Sequence, residues 1–311
     1  MIDIPDMLRD LGSTSAFERL RGVSFLGIVD YVNKQMKGTR PVYSRAEHSF
    51  GVLRLGLVAV HRISMREEDA AYLLATCLLH DLGHPPFSHS LEYAFRKSDR
   101  LTSHHDVLRE MLLAPGGAER GIPRILRSYG LDPARIFNIV DGSDDLSFFF
   151  SAPINIDTLD GIRRSMESFA IFSSYNVNHL ATVVADMYVG RAVVDRSSLA
   201  EMDRFWENKN LFYRVLSSEN PLSLAERRFQ TIVRRHIARL ERSNFRQTDR
   251  EFMLRYPQMF REFDTYVGPE DVAIKQDFII DYSVGSVDRS NVHRRYVRIK
   301  NEIRKPRAFA S

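Results

Sequence analysis

Of the 311 residues only one is a cysteine, Cys77, so the chain cannot form an intramolecular disulfide. Cys77 lies in the apolar run Tyr72-Leu-Leu-Ala-Thr-Cys-Leu-Leu79, which reads as buried helix, and no activating base shares its face. A small core residue in a reducing compartment fits this usage. No apolar stretch approaches the roughly 20 residues needed to span a bilayer, and the acidic start Met1-Ile-Asp-Ile-Pro-Asp-Met7 lacks the apolar region of a signal peptide. A cytoplasmic protein without a membrane partner is expected. There is also no internal repeat and no low-complexity segment, which argues against a repeat architecture.

What is there is ordinary globular material. A hydrophobic fraction of 44% and a charged fraction of 27% exclude disordered and fibrous classes. The length allows one large domain or two ordinary ones. The formal charge is +4 with a pI near 9.2. Much of the excess sits in the tail, at His293, Arg294, Arg295, Arg298, Lys300, Arg304, Lys305 and Arg307. Such a balance favours anionic ligands, whether nucleotides, nucleic acid or an acidic partner, unless the tail is only a solvated basic terminus.

Periodicity predicts a mainly helical chain. Phe17, Leu20, Ser24 and Ile28 share one face of an amphipathic helix running to Tyr31 and ended near Gly38. Arg45 to His61 is too densely apolar for a solvent-facing helix, and Glu67 to His80 follows as another buried one. Gly83 and Pro85-Pro86 break it before helix resumes from Ser88 to Arg96. Short helices are expected from Ile122 to Tyr129 and Pro133 to Val140, within a connecting region richer in Pro, Gly and Asp. Longer ones are expected from Ile156 to Phe172, His179 to Asp195, Ser198 to Ser217 and Leu222 to Glu241. Only Asp277 to Ile299 changes character, with alternating β-branched residues around Asp288-Arg-Ser-Asn291 that predict a small hairpin.

The chemistry concentrates at His80-Asp81, adjacent residues at the end of a buried helix. A carboxylate and an imidazole there are costly unless hydrogen-bonded or metal-bound, and one divalent cation satisfies both. His48, on the preceding buried helix, can come opposite His80, and Asp157 can complete the set. Two imidazoles and two carboxylates suit manganese, iron, cobalt, nickel, zinc or magnesium with positions left open for water. Such a centre activates water and neutralises a phosphoryl oxygen.

Together the segments Arg45-Ala-Glu-His48-Ser-Phe-Gly-Val52, His80-Asp81-Leu-Gly-His84-Pro-Pro-Phe-Ser-His89 and Asp157 closely resemble the HD-domain phosphohydrolases. Within them they are similar to the deoxynucleoside triphosphate triphosphohydrolases, the dGTPase and sterile-alpha-motif HD branch. Phe17-Glu-Arg-Leu-Arg21 resembles that branch's opening Phe-Gln-Arg-Leu-Arg. The likeness is clear over about residues 15 to 165. It implies an HD-domain helical bundle over 1–200 and a helical continuation over 201–311 with a basic, partly β end. It makes His48, His80, Asp81 and Asp157 the metal ligands, and places Arg45, His84 and His89 at phosphate-contacting positions. Glu92 matches an acidic residue that orients a catalytic histidine. In Ser103-His104-His105-Asp106, His105 followed by Asp106 fits that histidine better than His104, although the same residues also read as a helix start with Asp106 at its positive end.

After Asp157 the branch often has Asp-x-x-Asp-Tyr, the tyrosine packing under the sugar and a later Asp contacting its hydroxyl. Here Gly161 and Ser165 stand at those places, and Glu18 stands where a sugar-reading glutamine is common. A larger pocket or a different ligand is expected. Arg163 and Arg164 offer one inward-pointing guanidinium for a polyphosphate, with Arg164 as the expected substrate contact. The resulting expectation is nucleotide hydrolysis, releasing triphosphate from a deoxynucleoside triphosphate. An HD-type nuclease using the basic C-terminal region, or a hydrolase of another phosphate ester or signalling nucleotide, is the alternative. The resemblance also implies a homo-oligomer.

Overall fold

A computed structural model describes residues 2–35, 40–96, 103–114, 121–191, 195–217 and 221–265. In chain order the first helices are α1 (Ile4–Gly12), α2 (Ser15–Arg19), α3 (Ile28–Gln35), α4 (Arg45–Ile63), α5 (Glu67–Leu79), α6 (Ser88–Arg96), α7 (His104–Leu113), α8 (Gly121–Ser128) and α9 (Pro133–Asp141). They are followed by α10 (Phe148–Ser151), α11 (Ile156–Ser168), α12 (Val177–Tyr188), α13 (Arg196–Ser217), α14 (Pro221–His236), α15 (Asp249–Arg255) and α16 (Pro257–Thr265). Among the described residues the only β pairing is a single antiparallel bridge between Ser24 and Ser44. The expected hairpin from Asp277 to Ile299 and the basic tail lie outside the described residues. No described helix is long and apolar enough to cross a membrane.

The mainly helical expectation holds, and α4 is its centre. Ser44 caps it with a full capping box: its hydroxyl accepts from Glu47 N–H, and the Glu47 carboxylate accepts from Ser44 N–H. Such a cap contributes about 1 kcal/mol. α4 lies among α5, α11 and α12. Glycines let the neighbours close in: a Cβ on Gly56 would stand 2.7 Å from Cys77 Sγ, and one on Gly51 would stand 2.3 Å from Asp160 Oδ1. Cys77 is buried, and burial pushes its thiol pKa above the usual range. One hydrophobic cluster runs from Met7 through Phe263, with residues on both sides of position 200.

The expected single helix from Phe17 to Tyr31 does not form. α2 tightens into a 3-10 turn at Leu20–Gly22, residues 23–27 run without helix, and α3 begins at Ile28. The reason is tertiary. Phe25 N–H donates to the Tyr43 carbonyl and Arg45 N–H donates to the Val23 carbonyl, bonds that an uninterrupted helix would forbid. Gly22 meets Thr248, where a Cβ would lie 2.7 Å from Cγ2, and Gly27 takes φ +60°, where a Cβ would lie 2.2 Å from the Phe87 carbonyl oxygen. The helix from Ile156 ends at Ser168 rather than Phe172, in a turn where Ala170 has φ 58°.

Candidate active site

His48, in the first turns of α4, is buried, and its two ring nitrogens face one carboxylate each. Nε2 lies 2.9 Å from Asp157 Oδ1 and Nδ1 lies 2.9 Å from Asp160 Oδ2, both on α11. Burial opposes a charge on this ring, but the bonds to Asp157 and Asp160 carry its pKa up to about 9. His80 caps the C-terminus of α5. Its Nδ1–H donates to the Cys77 carbonyl at 3.0 Å, which leaves the Nε2 lone pair aimed inward. That buried Nε2 has no hydrogen-bond partner. It lies 3.6 Å from Asp81 Oδ1 and 3.9 Å from Asp157 Oδ1.

An orphaned imidazole nitrogen facing carboxylates is the arrangement a cation would resolve. The nitrogens of His48 and His80 and an oxygen of Asp157 all lie within 4.8 Å of one another. The buried Asp81 reaches the same space, with Oδ2 3.8 Å from His48 Nε2. The mixed nitrogen and oxygen set suits a divalent metal. Asp160 is an orienting partner that sequence reasoning misses: bonded to Nδ1, it turns Nε2 of His48 toward the other ligands. Its spacing of three residues after Asp157 on one helix is the available signal.

Arg45 is also buried and helps to shape this wall. NH1 donates to Asp81 Oδ2 at 2.9 Å, Nε to Ser88 Oγ at 2.9 Å, and NH2 to the Phe25 carbonyl at 3.1 Å. Burial would raise the pKa of Asp81, but Arg45, His80 and His84 hold it well below the carboxylate range. Arg45 also covers the Phe25 ring, with 4.9 Å to its centroid, while that ring lies 4.7 Å from His48. Phe25 thus reaches the site only because the expected helix gives way there. Beside it, Phe87 and Ser88 take φ 55° and 48°. Left-handed backbone costs an L-residue about 1–2 kcal/mol, so both must be held by their surroundings.

A second set of histidines stands across a cleft of about 390 Å³ that His48, His80, Asp81 and Asp157 also line. Glu92 on α6 accepts from His104 Nδ1 at 2.8 Å through one oxygen and from His89 at 2.9 Å through the other. Burial would raise the Glu92 pKa, but these two rings hold it well below the carboxylate range. The His104 ring stacks on His84 with centroids 4.1 Å apart. His84 is buried, and its Nε2 faces Asp81 Oδ1 at 3.2 Å. Burial, Arg45 and His104 keep the His84 pKa well below its usual value.

Several expected site residues sit differently. Glu92 holds His104, not His105, because α7 starts against Gly83 and presents His104 to α6; His105 still lines the cleft and packs edge-on to His104. Asp106 is exposed and serves the helix end, accepting from Ser103 N–H and hydroxyl. Arg164 does not enter the cleft: Asp160 takes its Nε at 2.5 Å, the Glu47 carbonyl takes NH2 at 2.8 Å, and Tyr43 stacks under it. Arg163 pairs with Asp160 and Glu167. Glu18 pairs with Arg21 on the surface. At Gly161 a Cβ would find only Phe25 and His48, at 3.7 and 3.8 Å, so the cleft has room there, and Phe150, Phe212 and Tyr213 supply aromatic lining instead.

This geometry defines an HD-type helical centre, and residues 45–127 match the HD domain family. The chain thus carries an HD domain over that segment. It is 28% identical over 163 residues to the uncharacterized protein YwfO of Bacillus subtilis, a match covering 51% of this chain and 35% of YwfO. It is 33% identical over 98 residues to a Dictyostelium discoideum homolog of SAMHD1, a deoxynucleoside triphosphate triphosphohydrolase, covering 29% of this chain and 18% of that protein. A hypothetical protein from Aquifex aeolicus shares the fold with a TM-score of 0.64 at 22% identity, over 83% of this chain and 70% of its own. The chain thus matches well under half the length of these two curated relatives.

Proposed function

We propose that this protein is a metal-dependent phosphohydrolase acting on a nucleotide, most readily a nucleoside triphosphate cleaved to nucleoside and triphosphate. The observation that carries the reading is the partnerless buried Nε2 of His80 among His48, Asp81 and Asp157, facing a carboxylate-held histidine across one cleft. His48, His80, Asp81 and Asp157 would hold one divalent cation. Bound there, it supplies Lewis-acid polarisation of a phosphoryl oxygen and acidifies water.

The chain's own residues do the rest. Arg45 uses three of its five N–H groups inside the protein, leaving one on each terminal nitrogen for a phosphate oxygen. His84, whose pKa burial holds down, turns its Nε2 to Asp81 and so helps to position that carboxylate beside the phosphate. Glu92 fixes His104 through Nδ1, so Nε2 is the atom that passes a proton to the leaving oxygen. The His84, His89, Glu92 and His104 group could itself invite a metal, but Glu92 already accepts from two rings, which favours the proton-handling role.

Support for a nucleotide comes from the aromatic lining, and from the activity for which the Dictyostelium relative is named, over the matched segment. The test is turnover of each ribo- and deoxyribonucleoside triphosphate with manganese, magnesium, cobalt or nickel, with products resolved by chromatography. Nucleoside plus triphosphate is the expected result. Orthophosphate release, or no turnover with any substrate and metal, overturns the triphosphohydrolase reading.

A further inference from the structure

We infer that Asp249, at the start of α15, is a positioning residue that clamps two backbone segments behind Arg45 and so sets the phosphate-facing wall of the cleft. The residue is 9% exposed. Oδ1 accepts from Phe87 N–H at 2.7 Å and Oδ2 accepts from Ser24 N–H at 3.0 Å. These are the neighbours of the groups that hold Arg45. Ser88 Oγ accepts from Arg45 Nε and donates to the Ser24 carbonyl at 2.6 Å, while the Phe25 carbonyl accepts from Arg45 NH2. One carboxylate therefore ties both anchors of one guanidinium, and that guanidinium in turn holds Asp81.

Two features separate this from an ordinary helix-end acid. The N-terminus of α15 is already capped by Thr248, in a box with Glu251, so Asp249 is not needed there. In addition, Phe87 and Ser88 both adopt left-handed backbone without glycine, and the Asp249 bond to Phe87 N–H is one of the contacts that holds that conformation. Asp249 lies outside residues 45–127, so the clamp reaches the site from the C-terminal helices.

The inference rests on Arg45 contacting phosphate, and the test separates the two. Binding of Mn²⁺ alone, and of inorganic triphosphate with Mn²⁺ present, is measured by calorimetry on the full chain. Asp249→Asn keeps the side-chain volume but sets an amide N–H against one of the two backbone N–H groups. Triphosphate should then bind about tenfold more weakly at a temperature where the variant is folded, with a smaller change for Mn²⁺. Ser88→Ala should show a similar loss, and the double variant little more than either, because the two act in one chain of contacts. Unchanged triphosphate affinity in folded Asp249→Asn, or fully additive losses, overturns the clamp and leaves a merely structural acid. Hydrogen exchange on the wild type keeps the inference open to refutation even if the variant does not fold: the Ser24 and Phe87 amides should be as protected as helix-core amides, and rapid exchange sinks it. Wild-type protein that binds Mn²⁺ but no triphosphate would instead overturn the proposed function, leaving the clamp to the exchange result.

Discussion

His48 sits between two carboxylates of the same helix, Asp157 on Nε2 and Asp160 on Nδ1, each at 2.9 Å. One side of the ring thus faces the ligand cluster while the other is anchored, and Asp160 is in turn gripped by Arg163 and Arg164. The anchoring side needs no metal to be in place.

Asp160→Asn should therefore weaken metal binding about tenfold to a hundredfold, the usual effect of losing a carboxylate behind a ligating histidine. Titration of the variant with Mn²⁺ checks this. Wild-type affinity would show that His48 is oriented by packing against Phe25 alone.

Two of the proposed ligands should separate metal loss from folding. Asp157→Ala should lose metal at a smaller cost in melting temperature, since its side chain is 42% exposed and His48 keeps its bond to Asp160. Asp81→Ala should lose metal and also about 3–5 kcal/mol of stability, because the buried Arg45 is left without its carboxylate. Metal content and thermal melts on both variants test the contrast; equal stability would mean that Arg45 is paired by something else.

His104→Ala should keep the metal and lose at least about a hundredfold in turnover, whereas His105→Ala should lose far less. The measurement is kcat at matched metal content. If His105 proves the sensitive position, the proton passes through the ring that Glu92 does not hold.

Stability should also fall as pH rises from about 4 to 7 because of Asp30. Burial lifts its carboxyl pKa from 3.8 to about 7, against one bond from Leu26 N–H. Between those values the folded chain holds a proton that the unfolded chain releases, so each step up in pH favours unfolding, by a few kcal/mol in all. The buried carboxyls of Asp249 and Glu226 are also raised and act in the same sense. Asp30→Asn should flatten part of that slope in denaturant titrations run across this range; an unchanged slope would place it elsewhere.

The long buried helices and the His80-Asp81 pair are legible in the sequence because their signals are local: a dense apolar run, then two chemistry-bearing residues at its end. The helix boundaries of α4, α5 and α6 follow the same logic. What is not legible depends on contacts between distant segments. The choice between His104 and His105 turns on how α7 meets Gly83 and α6, not on the identity of Asp106. Arg164 looks available because the sequence does not reveal that Asp160 and the Glu47 carbonyl have already claimed it. Apolar spacing puts Phe25 within a helix, but backbone bonds joining residues 23 and 25 to Arg45 and Tyr43 override that preference.

The glycines at 51 and 83 carry no functional group, yet a methyl at either would fall on occupied ground: 2.3 Å from Asp160 Oδ1 at the first, 1.9 Å from the His104 carbonyl oxygen at the second. An alanine scan is usually read as subtraction, each substitution reporting what a side chain contributed. At these two positions it would be addition: a single carbon at 51 should push α4 away from α11 inside the metal-binding half, and one at 83 should push that half away from His104 and the proton-handling half.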